Sequence, residues 1–132
     1  MGAMSNYLEV ALLNAVFRNT PFTSPTTVYL ALYTSDPTEA DTGTEVSGGA
    51  YARQAVTFSA PTQVGSKATI SNSADASFAV ATAAWGTVTH VGLRTAATGG
   101  NLLYYGPVNN ARSILVNDQL KFLAGELILD LD

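Results

Sequence analysis

The stretch Val28–Tyr33, with the sequence VYLALY, decides the fold class because its periodicity is that of a β-strand. Val28, Leu30 and Leu32 face one way, and the residues between them face the other. Both sets are apolar or aromatic, which indicates a strand inside a sheet rather than at its edge. We therefore predict a central strand that is covered on both faces.

Further segments of alternating polarity follow this strand, with Gly, Asn, Asp and Pro between them. The segment Thr98–Asn101, TGGN, is typical of a hairpin turn. About eight short antiparallel strands with turns at this spacing predict an all-β domain, either a β-sandwich or a jelly-roll-like fold. The further strands are expected at 51–59, 68–71, 77–80, 87–95, 102–108, 114–116, 120–123 and 126–131.

One helix is predicted, over residues 5–18 near the N-terminus. Asn6 with Glu9 three residues later matches a capping box, and Ser5 is an alternative cap. The segment Asn19–Pro21 then stops the helix.

The predicted helix has a wide apolar face for so short an element. Leu8 and Leu12 fall on this face and Phe17 adjoins it, which makes these three residues candidate interface positions. The face can pack on the β-domain or on a neighbouring subunit, and packing within the chain is the favoured alternative.

Length and composition exclude several classes of protein. The 132 residues fit one domain, 5–132, preceded by start or tag-like residues 1–4. With no cysteine, the chain has neither disulfides nor thiolate metal sites. Six scattered basic residues and a net charge of −4 argue against nucleic-acid binding. The apolar run at 8–17 is far shorter than the about 20 residues of a membrane-spanning helix, so no membrane insertion is predicted.

The sequence lacks the residue spacings that known catalytic and phosphate-binding sites require. His90 is the only histidine and lies within a predicted strand. Ser47 is not in a G-x-S-x-G nucleophile elbow, and the glycines of 43–49 lack the lysine of a phosphate-binding loop. Glu126 and Asp130 alternate along the last strand, as expected of an exposed face. We predict neither enzymatic activity nor a cofactor.

A metal site is the one ligand-binding pattern in the polar loop 35–49. Four carboxylates lie within ten residues of it, and hard cations prefer such oxygen ligands. The spacing of a calcium-binding loop is missing, so a solvated acidic loop is the favoured interpretation. The weak candidate ligands are Asp36, Glu39, Asp41 and Glu45.

Three further residues are candidates for an interface or for recognition. Tyr51 and Arg53 share one face of a predicted strand, and Arg53 can pair with an acid of the preceding loop or of another subunit. Gly48-Gly49 gives the backbone freedom where that strand begins. Trp85 starts another strand, where its indole either plugs the sandwich or forms a sugar platform.

Four segments of the chain resemble a family of small bacteriophage proteins that are labelled tail fibre or virion proteins. They are LYTSDP (32–37), GTEVSGGAYAR (43–53), WGTVTHVGL (85–93) and AGELILDL (124–131). The resemblance covers nearly the whole chain in the right order. It implies a structural subunit made in the host cytoplasm and carried on the surface of the virion. The implied partners are other copies of the chain, other virion proteins and a host-surface glycan.

Other functions stay open beside a tail or tail-fibre component that acts by assembly and host contact. One is a head decoration or head-fibre protein that binds the capsid, and another is a carbohydrate-binding module. Because particle proteins are commonly symmetric oligomers, we expect the 5–18 helix or the 35–49 loop to form contacts between subunits.

Overall fold

A computed structural model describes residues 2–132 and contains one helix, α1 (Asn6–Phe17), and ten β-strands. The strands are β1 (Ala3–Met4), β2 (Val28–Tyr33), β3 (Gln54–Val56), β4 (Thr62–Val64), β5 (Lys67–Ser71), β6 (Ala76–Ser77), β7 (Gly86–Arg94), β8 (Leu102–Ile114), β9 (Lys121–Phe122) and β10 (Ile128–Leu131). All the pairings between strands are antiparallel. The predicted all-β domain with one N-terminal helix is confirmed.

The strands form one large sheet and two small ones. The five-stranded sheet has the order β1-β8-β7-β2-β3, and beside it lie the sheets β10-β5-β4 and β6-β9. The small sheets and the segments that join them cover one face of the large sheet. The domain is therefore a sandwich of sheets with five, three and two strands. It differs from a jelly roll, which has two four-stranded sheets.

The main core lies between the large sheet and the small ones. Leu30 and Leu32 of β2 project into it and are fully buried. They meet Phe78 and Leu120, which flank the small β6-β9 sheet. The other buried members of this core are Val46, Val56, Ala76, Ala81, Trp85, Val88, Leu93, Tyr104, Ile114 and Leu127.

The opposite face of the large sheet is also covered, as the two apolar faces of β2 predict. Tyr33 is almost completely buried on this side. Its ring lies over β7 at Gly92, where an added Cβ atom would come within 2.8 Å of Cε2 of Tyr33. The glycine therefore allows the ring to lie directly on the sheet. The prediction of a central strand buried on both sides is confirmed.

Helix α1 begins one residue after its cap, and the cap is Ser5 rather than Asn6. The Ser5 hydroxyl accepts a hydrogen bond from the amide of Leu8, at 3.2 Å. The capping box centred on Asn6 was therefore the wrong alternative. Within residues 2–132, no helix has the length and apolar character needed to cross a membrane.

Several predicted strands differ in length from the observed ones. The strand expected at 51–59 is regular only over Gln54–Val56. Ala50 has a positive φ of 68°, and the side chains of Tyr51 and Arg53 that follow it bond to Glu45 of the loop. The strand expected at 114–116 is wrong, because β8 ends at Ile114 and a turn follows. The hairpin partner of β5, which is β4, was missed because its side chains are exposed and weakly alternating.

The residues set apart as a start or tag-like segment include part of the fold. Ala3 and Met4 form β1 and pair with Tyr105 and Tyr104 of β8. This pairing adds an edge strand to the large sheet, so the ordered domain begins before residue 5. Met1 lies outside the described residues.

Candidate functional site

Helix α1 is attached to the sheet by the backbone around its first residue. The buried Ser5 donates its hydroxyl to the carbonyl of Leu102 and its amide to the carbonyl of Leu103, the latter at 2.9 Å. The amide of Asn6 donates to the carbonyl of Glu39 at 2.8 Å. The N-terminus of α1 is thus held by both β8 and the loop 35–49.

The rest of α1 carries more apolar surface than the domain covers. Leu8 and Leu12 lie on the side toward β8 but are only half-buried, and no residue of the helix is fully buried. The opposite side, which we call the outer face, is also apolar. It consists of Val10, Leu13, Val16 and Phe17, with exposures of 60, 59, 67 and 78%.

The outer face continues into a shallow groove. After α1 the chain turns back, and the amide of Thr20 donates to the carbonyl of Asn14 at 3.0 Å. This turn places Phe22 beside Tyr7 and Val10, and the groove between them has a volume of about 480 Å³. Glu9 is the only charged side chain of α1. Exposed apolar surface with so little charge is the composition of the centre of a protein interface.

The loop 35–49 is held in the opposite manner, by charged groups that are paired. Nε and Nη2 of Arg53 donate to the two carboxylate oxygens of Glu45, at 2.8 and 2.7 Å. The Tyr51 hydroxyl also donates to this carboxylate, at 2.6 Å, and accepts from the amide of Leu32, at 3.0 Å. The acid of the preceding loop is therefore the partner of Arg53 within the chain.

A second arginine, Arg94, also bonds to the loop 35–49. Nη1 and Nη2 of Arg94 donate to the two carboxylate oxygens of Asp41, at 2.8 and 2.9 Å. Nη1 also donates to the Tyr33 hydroxyl, at 2.9 Å. Both Arg53 and Arg94 donate to the carbonyl of Gly99 in the turn between β7 and β8. We call the two arginines with Asp41 and Glu45 the arginine clamp.

The arginine clamp and its surroundings shift the pKa values of Glu45, Tyr51 and Arg94. Burial alone would raise the pKa of Glu45, but the hydrogen bonds from Arg53 and Tyr51 outweigh it and hold the pKa below its ordinary value. Burial and the carboxylate of Glu45 together raise the pKa of Tyr51. Burial opposes the charge of Arg94, yet the bonds to Asp41 and Tyr33 raise its pKa. The pairing within the clamp therefore favours the charged forms of Glu45 and Arg94.

The four carboxylates proposed as metal ligands are used in different ways. Asp41 and Glu45 are occupied by the arginine clamp. Asp36 accepts the amide of Thr38 at 2.9 Å and lies 3.9 Å from Nε2 of His90. Within residues 2–132, no three acidic or histidine side chains converge as a metal site. The loop therefore pairs Asp41 and Glu45 internally, whereas Glu39 is exposed to water.

Trp85 lies in the core, so its indole is not exposed at the surface as a sugar platform would be. It is 5% exposed and packs edge-on against Tyr51, with ring centroids 5.5 Å apart. Its Nε1 donates to the carbonyl of Gly49 at 2.9 Å. Gly48 and Gly49 have φ values of 77° and 57°, so the predicted need for backbone freedom is confirmed. An added Cβ on Gly49 would come within 2.7 Å of Nε1 of Trp85.

Sequence reasoning missed two features of these surfaces. Arg94 lies in the strand predicted at 87–95 and is not among the candidate residues, although a lone arginine within an apolar strand signals a buried partner. Val10 was not counted on the apolar face, although i, i+3 spacing joins it to Leu13 and Val16.

The fold and these surfaces define a class of protein: a small β-structural protein with an uncovered apolar helix face. Comparison with known families is consistent with this class. Residues 3–130 match the family model described as podophage GP4 fiber I protein gp80. The match spans nearly the whole chain, so the chain belongs to this phage fibre protein family. No curated protein matches the chain.

Proposed function

We propose that the chain is a fibre subunit of the virion that assembles with other copies of itself through the outer face of α1. The single observation that carries this proposal is the exposure of Val10, Leu13, Val16 and Phe17. They lie on a helix whose N-terminus is firmly attached. The family supports a structural role in the fibre, and assembly through α1 is our addition.

The energetics of the outer face favour a partner. Burial of a Val, Leu or Phe side chain stabilises by about 1.5–3 kcal/mol. Because the four side chains are each more than half exposed, covering them is worth on the order of 5 kcal/mol per copy. They present on the order of 300 Å² of apolar surface, against about 800 Å² buried per partner in a stable interface. The outer face would therefore be the apolar centre of a larger contact.

A second copy suits this surface better than an unrelated ligand does. Most assemblies of one chain are symmetric, and a self-complementary helix face needs no matching charges. The loop 35–49, the other candidate for subunit contacts, uses two of its four acids, Asp41 and Glu45, within the chain. Assembly is thus proposed for α1 and not for the loop.

Light scattering coupled to size exclusion tests the assembly. We expect an oligomer for the natural chain and a monomer for Leu13→Glu or Phe17→Glu, because a carboxylate in the contact would lose its hydration. The matched control is Val64→Glu, since Val64 is 62% exposed on β4. This control should keep the oligomer. A natural chain that is monomeric at every accessible concentration would overturn the proposal.

The place of the subunit on the particle is part of the same proposal. We favour the tail over the head, where a decoration or head-fibre protein would bind the capsid. We further propose that the subunit has no enzymatic activity. Immunogold labelling of intact particles separates the two locations, and gold confined to the head would overturn the placement on the tail.

A further inference from the structure

A cleft opens between β8 and the C-terminal segments, away from both α1 and the arginine clamp. Its volume is about 390 Å³, within the range of sites for small ligands. The cleft lies at an irregularity in the pairing of β7 with β8. The pairing passes from Val88–Arg112 to His90–Pro107, so Thr89 alone lies opposite Val108–Ala111. Its floor is apolar and is formed by Val88, Leu93, Tyr104, Leu120 and Leu127.

The rim of the cleft carries polar side chains that are exposed to water. Within residues 2–132, Arg112 has neither an ion pair nor a hydrogen bond from its guanidinium group. Likewise, the side-chain amides of Asn109 and Asn110 have no hydrogen-bond partner within the described chain. Lys121 completes the positive side and lies 3.8 Å from Asp75 in a pair exposed to water.

Arg112 differs from the other arginines of this acidic chain. Arg53 and Arg94 are neutralised in the arginine clamp. Arg18 donates to Asn14 of its own helix at 3.1 Å. Among the arginines of residues 2–132, Arg112 alone combines a guanidinium without a partner in that range with a position on a concave surface. The one carboxylate on the rim, Glu126, accepts the amide of Leu123 at 2.5 Å.

We propose that this cleft binds an anionic saccharide. The carboxylate or phosphate of the sugar would pair with Arg112 and Lys121, and its hydroxyls would bond the amides of Asn109 and Asn110. The less polar face of a sugar ring would rest on the apolar floor, beside Phe122.

The shape of β8 disfavours an added peptide strand in this place. An extended peptide needs an uninterrupted row of backbone groups on the strand edge. Pro107 lacks an amide hydrogen, and Val108–Ala111 bulge out opposite Thr89. A ligand recognised by side chains fits this edge, and a ligand recognised by backbone pairing does not.

The site is independent of the assembly proposed for α1, because none of its residues belongs to the helix. It adds to a structural subunit a place for direct contact with charged surface polysaccharide. Failure of either proposal would leave the other unchanged.

Isothermal titration of the full chain tests the site with three probes: a galacturonic acid oligosaccharide, glucose 6-phosphate and an uncharged maltooligosaccharide. We expect an anionic probe to bind and the uncharged one not to bind. Whichever anionic probe binds identifies the group that Arg112 recognises. Affinity should fall as salt is added, because the pairing is electrostatic.

Two variants of equal charge separate the cleft from the overall field of the protein. Arg112→Gln should weaken binding about tenfold, the loss expected for one charge-assisted contact. Arg18→Gln removes the same charge from an exposed position just after α1 and should leave binding unchanged. Equal losses in the two variants would overturn the proposal. So would equal binding of the uncharged probe, or no binding of either anion at millimolar concentration.

Discussion

The loop 35–49 and helix α1 differ from what their compositions suggest, because the polar loop is held against the domain and the apolar helix is largely exposed. The loop is polar and acidic, yet Arg53 and Arg94 hold it against the sheet through bidentate ion pairs. The helix is almost entirely apolar, yet none of its residues is fully buried. Polarity alone therefore does not decide what the domain covers. Here the polar loop is held because two of its carboxylates have arginine partners, whereas the apolar side chains on the outer face of α1 remain exposed.

This contrast predicts that stability depends on the arginine clamp and not on the outer face of α1. The largest loss is expected for Arg94→Met, which leaves Asp41 and the Tyr33 hydroxyl without their donor. Because Asp41 is about a third exposed, we expect a loss of about 3 kcal/mol, the lower end for a broken buried pair. Urea unfolding measures it.

Arg18→Met is the matched control for this loss. Arg18 is exposed and bonds only within and next to its own helix. Its replacement should change the free energy of unfolding by less than about 0.5 kcal/mol. Equal losses in the two variants would show that the arginine clamp is not what holds the loop.

A smaller loss is expected for Tyr51→Phe. The hydroxyl it removes donates to Glu45 and accepts from the amide of Leu32, which is fully buried. Leaving that amide unpaired should cost about 2 kcal/mol in urea unfolding. Tyr29→Phe is the control, because the Tyr29 hydroxyl has no hydrogen-bond partner within residues 2–132. A Tyr51→Phe variant as stable as this control would contradict the role of the hydroxyl.

Acid should weaken the arginine clamp through Glu45. Its pKa in the folded protein lies below the ordinary value of 4.5, so its ionised form stabilises the fold. This contribution is present above pH 4.5 and is lost as the pH falls through the lowered pKa. Thermal unfolding between pH 6 and pH 3 tests the effect. Glu45→Gln should be less stable at pH 6 and should lose less stability on acidification; an unchanged pH dependence would refute the assignment.

The smallest effect on stability is expected on the outer face of α1. Leu13→Glu exchanges two good helix formers at a site 59% exposed. Its free energy of unfolding should match the natural chain within about 0.5 kcal/mol. Unfolding should be measured at a protein concentration low enough that neither protein assembles, because assembly adds stability by mass action. A loss above about 2 kcal/mol would mean that Leu13 belongs to the core of the domain.

Local chemistry made much of the fold predictable. The alternation in VYLALY, the TGGN hairpin turn and the glycines before Tyr51 each report a backbone requirement of their own segment. Side-chain destinations were less predictable, because they depend on groups distant in the chain. Arg94 meets Asp41 from 53 positions away, and no local pattern marks such a pair.

The sequence by itself determined the β class, the single helix near the N-terminus and the absence of cysteine chemistry, because periodicity and composition are properties of neighbouring residues. Only the tertiary structure decided which polar groups are paired and which apolar groups stay uncovered. It placed Trp85 in the core, locked the acidic loop with two arginines and left the outer face of α1 exposed. It also opened the cleft at Arg112. Each of these depends on which distant surfaces meet, and packing decides that.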